Sequence, residues 1–197
     1  MTHSTPAKNP QSALLSPGPL LLTGLIVLAA LSRVLPHPPN FSPVEAMALF
    51  GGAYFARRGL AVLIPLLAML ISDVALGLIN GGEYWSYLTS GGPLSIYALI
   101  ALCSVLGFGL RGRVSGGRVL GYSLLGSVLF FVISNGLIWL SATAGSPYCG
   151  QGLAACYAFA LPFFQWTVAG TLFYSAILFG GFELLRRRHP ALRPQTV

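Results

Sequence analysis

Apolar runs separated by short clusters of arginine, proline and glycine make up most of this sequence. From about Leu20 to Leu35, Leu60 to Ile79, Leu94 to Leu110, Val119 to Leu140 and Phe163 to Leu185 the residues are apolar nearly throughout. About 20 apolar residues in a helix cross the hydrocarbon core of a bilayer. Inside lipid every backbone N–H and C=O needs an internal partner, so these runs predict helices. Strands of a membrane barrel would alternate polar and apolar residues, and these do not. A sixth, shorter apolar stretch lies in FSPVEAMALFGGAYFARRG, Phe41 to Gly59. It follows an elbow, LPHPPNFSP, whose prolines forbid a continuous helix. From Val44 to Ala56 the stretch reaches only about 20 Å as a helix. It predicts a short crossing helix, since flanking residues can snorkel and a bundle can thin the bilayer; a re-entrant segment is the alternative. NGGEYWSYLTSGG predicts a turn-rich loop, and SATAGSPYCGQGLAACYAFALP a loop holding a short surface helix.

Composition turns this pattern into a class. Of 197 residues 55% are hydrophobic and 8% charged, whereas a soluble domain carries about a quarter charged residues. The expectation is an all-α polytopic membrane bundle with six transmembrane helices, the second one short. Its membrane domain covers 20–186, between a disordered cytoplasmic tail at 1–19 and a basic cytoplasmic tail at 187–197. The net charge of +7 comes almost wholly from arginine. The arginines stand in clusters beside apolar runs, which argues for topology signals and against nucleic acid. With six crossings, Lys8, Arg57, Arg58, Arg111, Arg113, Arg118, Arg186, Arg187, Arg188 and Arg193 share one side and only Arg33 lies on the other. That bias predicts both termini in the cytoplasm of a plasma-membrane protein. A five-span layout with an external N-terminus leaves only Lys8 outside, so charge alone does not orient the first helix.

On the six-span layout the polar side chains gather toward the outer face. Asp73 lies in the outer third of its helix, and Asn135 and Gln165 at similar depth. An intramembrane carboxylate is costly and faces a cavity or a partner. Arg33 shares its depth, so an Asp73–Arg33 pair is expected, with interfacial helix capping as the alternative. Trp85, Trp139 and Trp166 fall on the outer half with Tyr84, Tyr87, Tyr97, Tyr148 and Tyr157. The simpler reading of the tryptophans is an aromatic belt that anchors the protein; since a belt would mark both interfaces, the asymmetry keeps open rings walling an outward pocket. Asn135 has the simpler reading of a bond to a neighbouring helix. Cys149 and Cys156 share an outer loop and could bridge in an oxidising compartment, while Cys103 is a packing residue. Ala48, Gly52 and Ala56 form a small-residue row suited to a partner helix, and Thr167, Thr171 and Ser175 a packing seam.

The catalytic inventory is thin. His3, His37 and His189 all lie outside the predicted spans, so an intramembrane Ser–His hydrolase lacks its base. A two-aspartate protease needs a second Asp. No phosphate-binding fingerprint or metal-ligand spacing is present. No cofactor, no metal and no enzymatic activity are predicted, although His37 and Asp73 could meet on the outer face.

The stretches HPPNFSPVEAMALFGGAYF, AMLISDVALG, SNGLIWLS and LPFFQWTVAGTLFYSAILFG resemble an uncharacterised family of bacterial membrane proteins over roughly residues 20 to 185. The six-helix layout with a short second span also resembles, more loosely, the substrate-binding S-components of energy-coupling-factor vitamin transporters. That likeness implies capture of a small, vitamin-like molecule outside and release inside, driven by ATPase coupling subunits. Loops at His37 to Phe41, Asn80 to Tyr87 and Tyr148 to Tyr157 would shape the site, which adds His37 and Asn40 to the candidates. The alanine-xxx-alanine contact of the S-component first span is missing; Leu28 and Ser32 stand at that spacing. The function expected is therefore a small-molecule binding or transport subunit. A structural or assembly subunit is the alternative, and a membrane enzyme a more distant one.

Overall fold

The computed structural model describes residues 17–143, 145–189 and Leu192. Among them the chain is all-α, without strands. Helix α1 spans Pro17–Leu31 and ends in a 3-10 turn, Ser32–Val34; α2 spans Val44–Tyr54, α3 Arg58–Asn80, α4 Gly82–Thr89 and α5 Gly92–Gly107. Helix α6 spans Gly116–Ser141 and α7 Leu153–Ser175; α7 runs through a π turn, Ala176–Gly180, into α8, Gly181–Arg188. Five segments are long and apolar enough to cross a membrane: Pro17–Val34, Arg58–Asn80, Gly92–Leu110, Gly116–Ser141 and Leu153–Arg188. Helix α2 is not among them.

Three boundaries differ from the sequence reading. The first helix begins at Pro17, because prolines in a first turn sacrifice only N–H groups that have no helical partner; the rest of the expected N-terminal tail lies outside the described residues. The last long helix begins at Leu153 rather than Phe163 and passes through Pro162. Membrane helices tolerate an interior proline because neighbouring groups satisfy the freed carbonyls. Arg187 and Arg188 belong to α8 rather than to a tail, and beyond His189 only Leu192 is described. Between α3 and α5, the expected loop holds α4, set off by Gly81 at φ +75°, a conformation glycine adopts without strain.

Helix α2 is the centre of the molecule. Every residue from Val44 to Tyr54 is buried, so it has no face left for lipid. Helices α1, α3, α5, α6 and α7 all pack against it. The closest approach is glycine on glycine: a Cβ at Gly52 would stand 2.9 Å from the Gly107 Cα and collide with the Ser104 carbonyl. This corrects the partner-packing reading of Ala48, Gly52 and Ala56. Ala48 and Gly52 are consumed by contacts within the chain, and Ala56 lies exposed beyond the helix end.

The direction of each helix follows from a few contacts. Arg33, at the end of α1, pairs with Asp73 of α3. Asp73 lies about 22 Å along α3 from Arg58. Helices α1 and α3 therefore run the same way, and residues 35–57 carry the chain back along the bundle. A hairpin would have returned Arg33 and Arg57 to the same end; they lie at opposite ends. At the Arg57 end, Arg111 donates from Nε to the Gly52 carbonyl at 2.9 Å and from Nη2 to that of Phe55 at 2.8 Å. These are the orphan carbonyls of the α2 C-terminus, where a cation is favoured. Arg118 donates to the Gly109 carbonyl at 2.6 Å, and Tyr54 to Glu183 at 2.7 Å. The described members of the cationic set expected on one side thus gather at one end, where Arg111 doubles as a cap; Lys8 and Arg193 lie outside the described residues.

A candidate polar site at the Arg33 end

At the opposite end, the 3-10 turn after α1 presents Arg33 to α3. Its Nη1 donates to Asp73 Oδ1 at 2.7 Å, Ser72 Oγ at 3.0 Å and Met69 Sδ at 3.0 Å. Tyr84 of α4 donates to Asp73 Oδ1 at 3.0 Å, and Tyr97 of α5 donates to Oδ2 at 2.8 Å. The Asp73 side chain is 3% exposed and that of Arg33 14%. One carboxylate thus ties α1, α3, α4 and α5 together through charge-assisted hydrogen bonds, which are shorter and stronger than neutral ones. Helix α4 is seated by the Trp85 indole, which lies on Gly77; a Cβ there would meet the ring at 2.8 Å. Burial first, and then the neighbouring carboxylate, push the Tyr84 phenol up to about 12, so at neutral pH it keeps its proton and donates.

The other candidates lie elsewhere. Asn135 donates to the Phe131 carbonyl of its own helix at 2.8 Å, and Gln165 to the Pro162 carbonyl at 3.0 Å. Trp139 and Trp166 are exposed on the hairpin of α6 and α7. His37 and Asn40 stay in the exposed elbow, where His37 Nδ1 pairs with the Leu35 carbonyl at 2.6 Å and Asn40 takes φ +65°. No hydrogen bond or ring contact among the described residues joins these to Asp73, whose partners are Arg33, Tyr84 and Tyr97. The expected set therefore divides into three places. The structure joins Cys149 and Cys156 in a disulfide beneath the α6–α7 hairpin loop. A hollow of about 290 Å³ there is lined by Trp139, Thr143 and Cys149.

A larger hollow, about 510 Å³, opens at the basic end between α6 and the α7–α8 helix. Ser115, Ser123, Ser175, Phe179, Glu183 and Arg187 line it. Sequence reasoning missed this hollow, and it missed Glu45, which is 2% exposed at the start of α2. The available signal was a carboxylate at the head of an apolar stretch. It reads as an ordinary first-turn acid until α2 is known to be surrounded.

The profile of a family of unknown function, DUF6580, matches residues 14–192. The chain belongs to that family. The match includes every stretch that carries the likeness to an uncharacterised bacterial family. No curated protein and no solved structure matches the chain, so the looser likeness to S-components rests on layout alone. For this DUF6580 member, five apolar helices long enough to span a bilayer mark a multi-pass membrane protein.

Proposed function

We propose that this protein crosses the bacterial inner membrane six times, with both termini cytoplasmic, and binds a small solute from outside as the capture subunit of a transport system. The observation that carries the reading is the network around Asp73. Ionisable groups within a membrane bundle are costly and mark ligand or ion paths by default. This network lies away from the arginine-rich end, which the charge bias assigns to the cytoplasm. It sits under a short helix, α4, held over it by Trp85 and Tyr84. A solute with its own charged or hydrogen-bonding group would replace a tyrosine or exchange partners with the ion pair. The chain has no nucleotide fingerprint, so energy for inward release would come from partner subunits.

Native mass spectrometry of gently extracted protein tests this directly. The reading predicts a retained small molecule that is lost from Asp73→Asn and Tyr97→Phe variants of unchanged helicity. Equal retention in both variants would remove the Arg33 end as the binding site. A second reading is an assembly subunit, in which a companion chain would replace lipid on part of the exposed α6–α7 surface. It predicts a companion chain in the same spectrum and no small ligand.

A further inference from the structure

The described part of the chain contains two carboxylates deep in the bundle, and they are treated differently. Asp73 has its charge balanced by Arg33. Glu45 makes no ion pair among the described residues. The polar groups that act on it are its own backbone amide and the Thr171 hydroxyl from α7; its carboxylate in turn acts on the Cys103 thiol from α5. From α1 and α3 the neighbours of the next turns of α2 are apolar: Ile26, Ala61 and Pro65 close on Gly51. From α6, Gly126 meets Leu49. Glu45 itself is 2% exposed and unpaired among the described residues, and a buried carboxylate without a cation is strongly disfavoured relative to its neutral acid.

Two buried hydroxyls near this level make no close hydrogen bond, Ser127 Oγ and Thr171 Oγ1, the latter acting on Glu45 only at longer range. Buried polar groups are nearly always paired, so an orphan calls for an explanation such as a mobile water or a functional role. Their register supplies one. Ser123 of α6 and Ser175 of α7 are hydrogen-bonded at 2.9 Å, and the helices are antiparallel. Ser127 and Thr171 therefore stand one turn farther from the basic end, side by side in register. Ser123 and Ser175 line the 510 Å³ hollow that opens at the basic end. The hydroxyls thus lead by register from that hollow toward Glu45, on which Thr171 acts. The π turn Ala176–Gly180 borders the hollow, and such turns occur frequently at functional sites.

We propose that Glu45 is a proton-binding site loaded from the basic end of the bundle through the hydroxyl row between α6 and α7. The step is a simple exchange: the carboxylate accepts a proton from hydronium in the hollow, relayed along Ser123, Ser175, Ser127 and Thr171, and water is left behind. The proposal uses none of the residues around Asp73 and stands whether or not the Arg33 end binds a solute.

The test is reaction of the membrane-embedded protein with dicyclohexylcarbodiimide, which modifies protonated carboxyls in apolar surroundings. Peptide mass spectrometry is expected to place the adduct on Glu45, with yield falling as pH rises. Adducts on Asp73 alone, or none on Glu45 at any pH, would overturn the proposal. This mapping uses the unaltered protein, so a Glu45→Gln variant that fails to fold leaves it intact. Infrared spectroscopy supplies the access test. The band of a protonated carboxyl is expected in the wild type and lost in Glu45→Gln. Its shift on transfer to heavy water is expected to slow about tenfold in a Ser127→Ala/Thr171→Val variant, the rate equivalent of roughly 1.4 kcal/mol. An unchanged exchange rate would remove the hydroxyl row as the route.

Discussion

Asp73 accepts from a guanidinium and two phenols on three other segments of the chain, so its substitutions separate charge from packing. Arg33→Ala leaves a buried carboxylate without its cation, a change that costs about 3–5 kcal/mol where such pairs have been broken. Thermal unfolding in detergent is expected to show that loss, and the exchange Arg33→Asp with Asp73→Arg to recover part of it. Tyr97→Phe removes one hydrogen bond to a charged group, worth about 1.5–3 kcal/mol. Tyr84 adds a pH signature. Its phenol ordinarily titrates near 10 and is raised to about 12 in the fold. The stability it lends is complete below pH 10 and is lost as pH rises toward 12; a Tyr84→Phe variant should lack that decline. The Arg33–Asp73 pair was legible because depth along two helices can be counted from sequence. Glu45 was not legible, because its isolation depends on five helices surrounding α2, which no local pattern records.

At the scale of the element, α2 explains its own brevity. A helix with a lipid face must match the bilayer, whereas one enclosed by protein need only reach the ends of its neighbours. Its packing depends on backbone contact at Gly52 and Gly107, where the obstacle to a side chain is backbone rather than a flexible tip. Gly52→Ala is expected to cost about 1–3 kcal/mol, as overpacking does, and Gly52→Leu to prevent folding, read as loss of a monodisperse peak on size exclusion. Arg111→Ala should loosen the same helix from its far end by uncapping the Gly52 and Phe55 carbonyls. The five long helices were legible from apolar runs, since lipid demands a continuous stretch. The start of α7 was not, because Pro162 looks like a boundary and proves to be interior. The small-residue row at Ala48 and Gly52 was visible as a seam, but sequence could not tell a seam within the chain from one between chains.

At the scale of the molecule, the return path of residues 35–57 sets which groups share an end. Residues 35–57 return the chain from the Arg33 end to the Arg57 end, which makes the arginine clusters share one side and leaves the Asp73 network on the other. Charge counting allowed two layouts because each leaves a single cation outside, Arg33 in one and Lys8 in the other. The Arg33–Asp73 contact supports the six-crossing layout proposed here, since it sets α1 and α3 running the same way. The proposed outer solute site and the proposed proton route from the basic end both take their sidedness from this arrangement. The most direct measurement is labelling of single cysteines placed at Pro39 and Gly59 with a membrane-impermeant maleimide. Pro39→Cys is expected to react in intact cells and Gly59→Cys only after permeabilisation. Reaction of both from the same side would contradict the account.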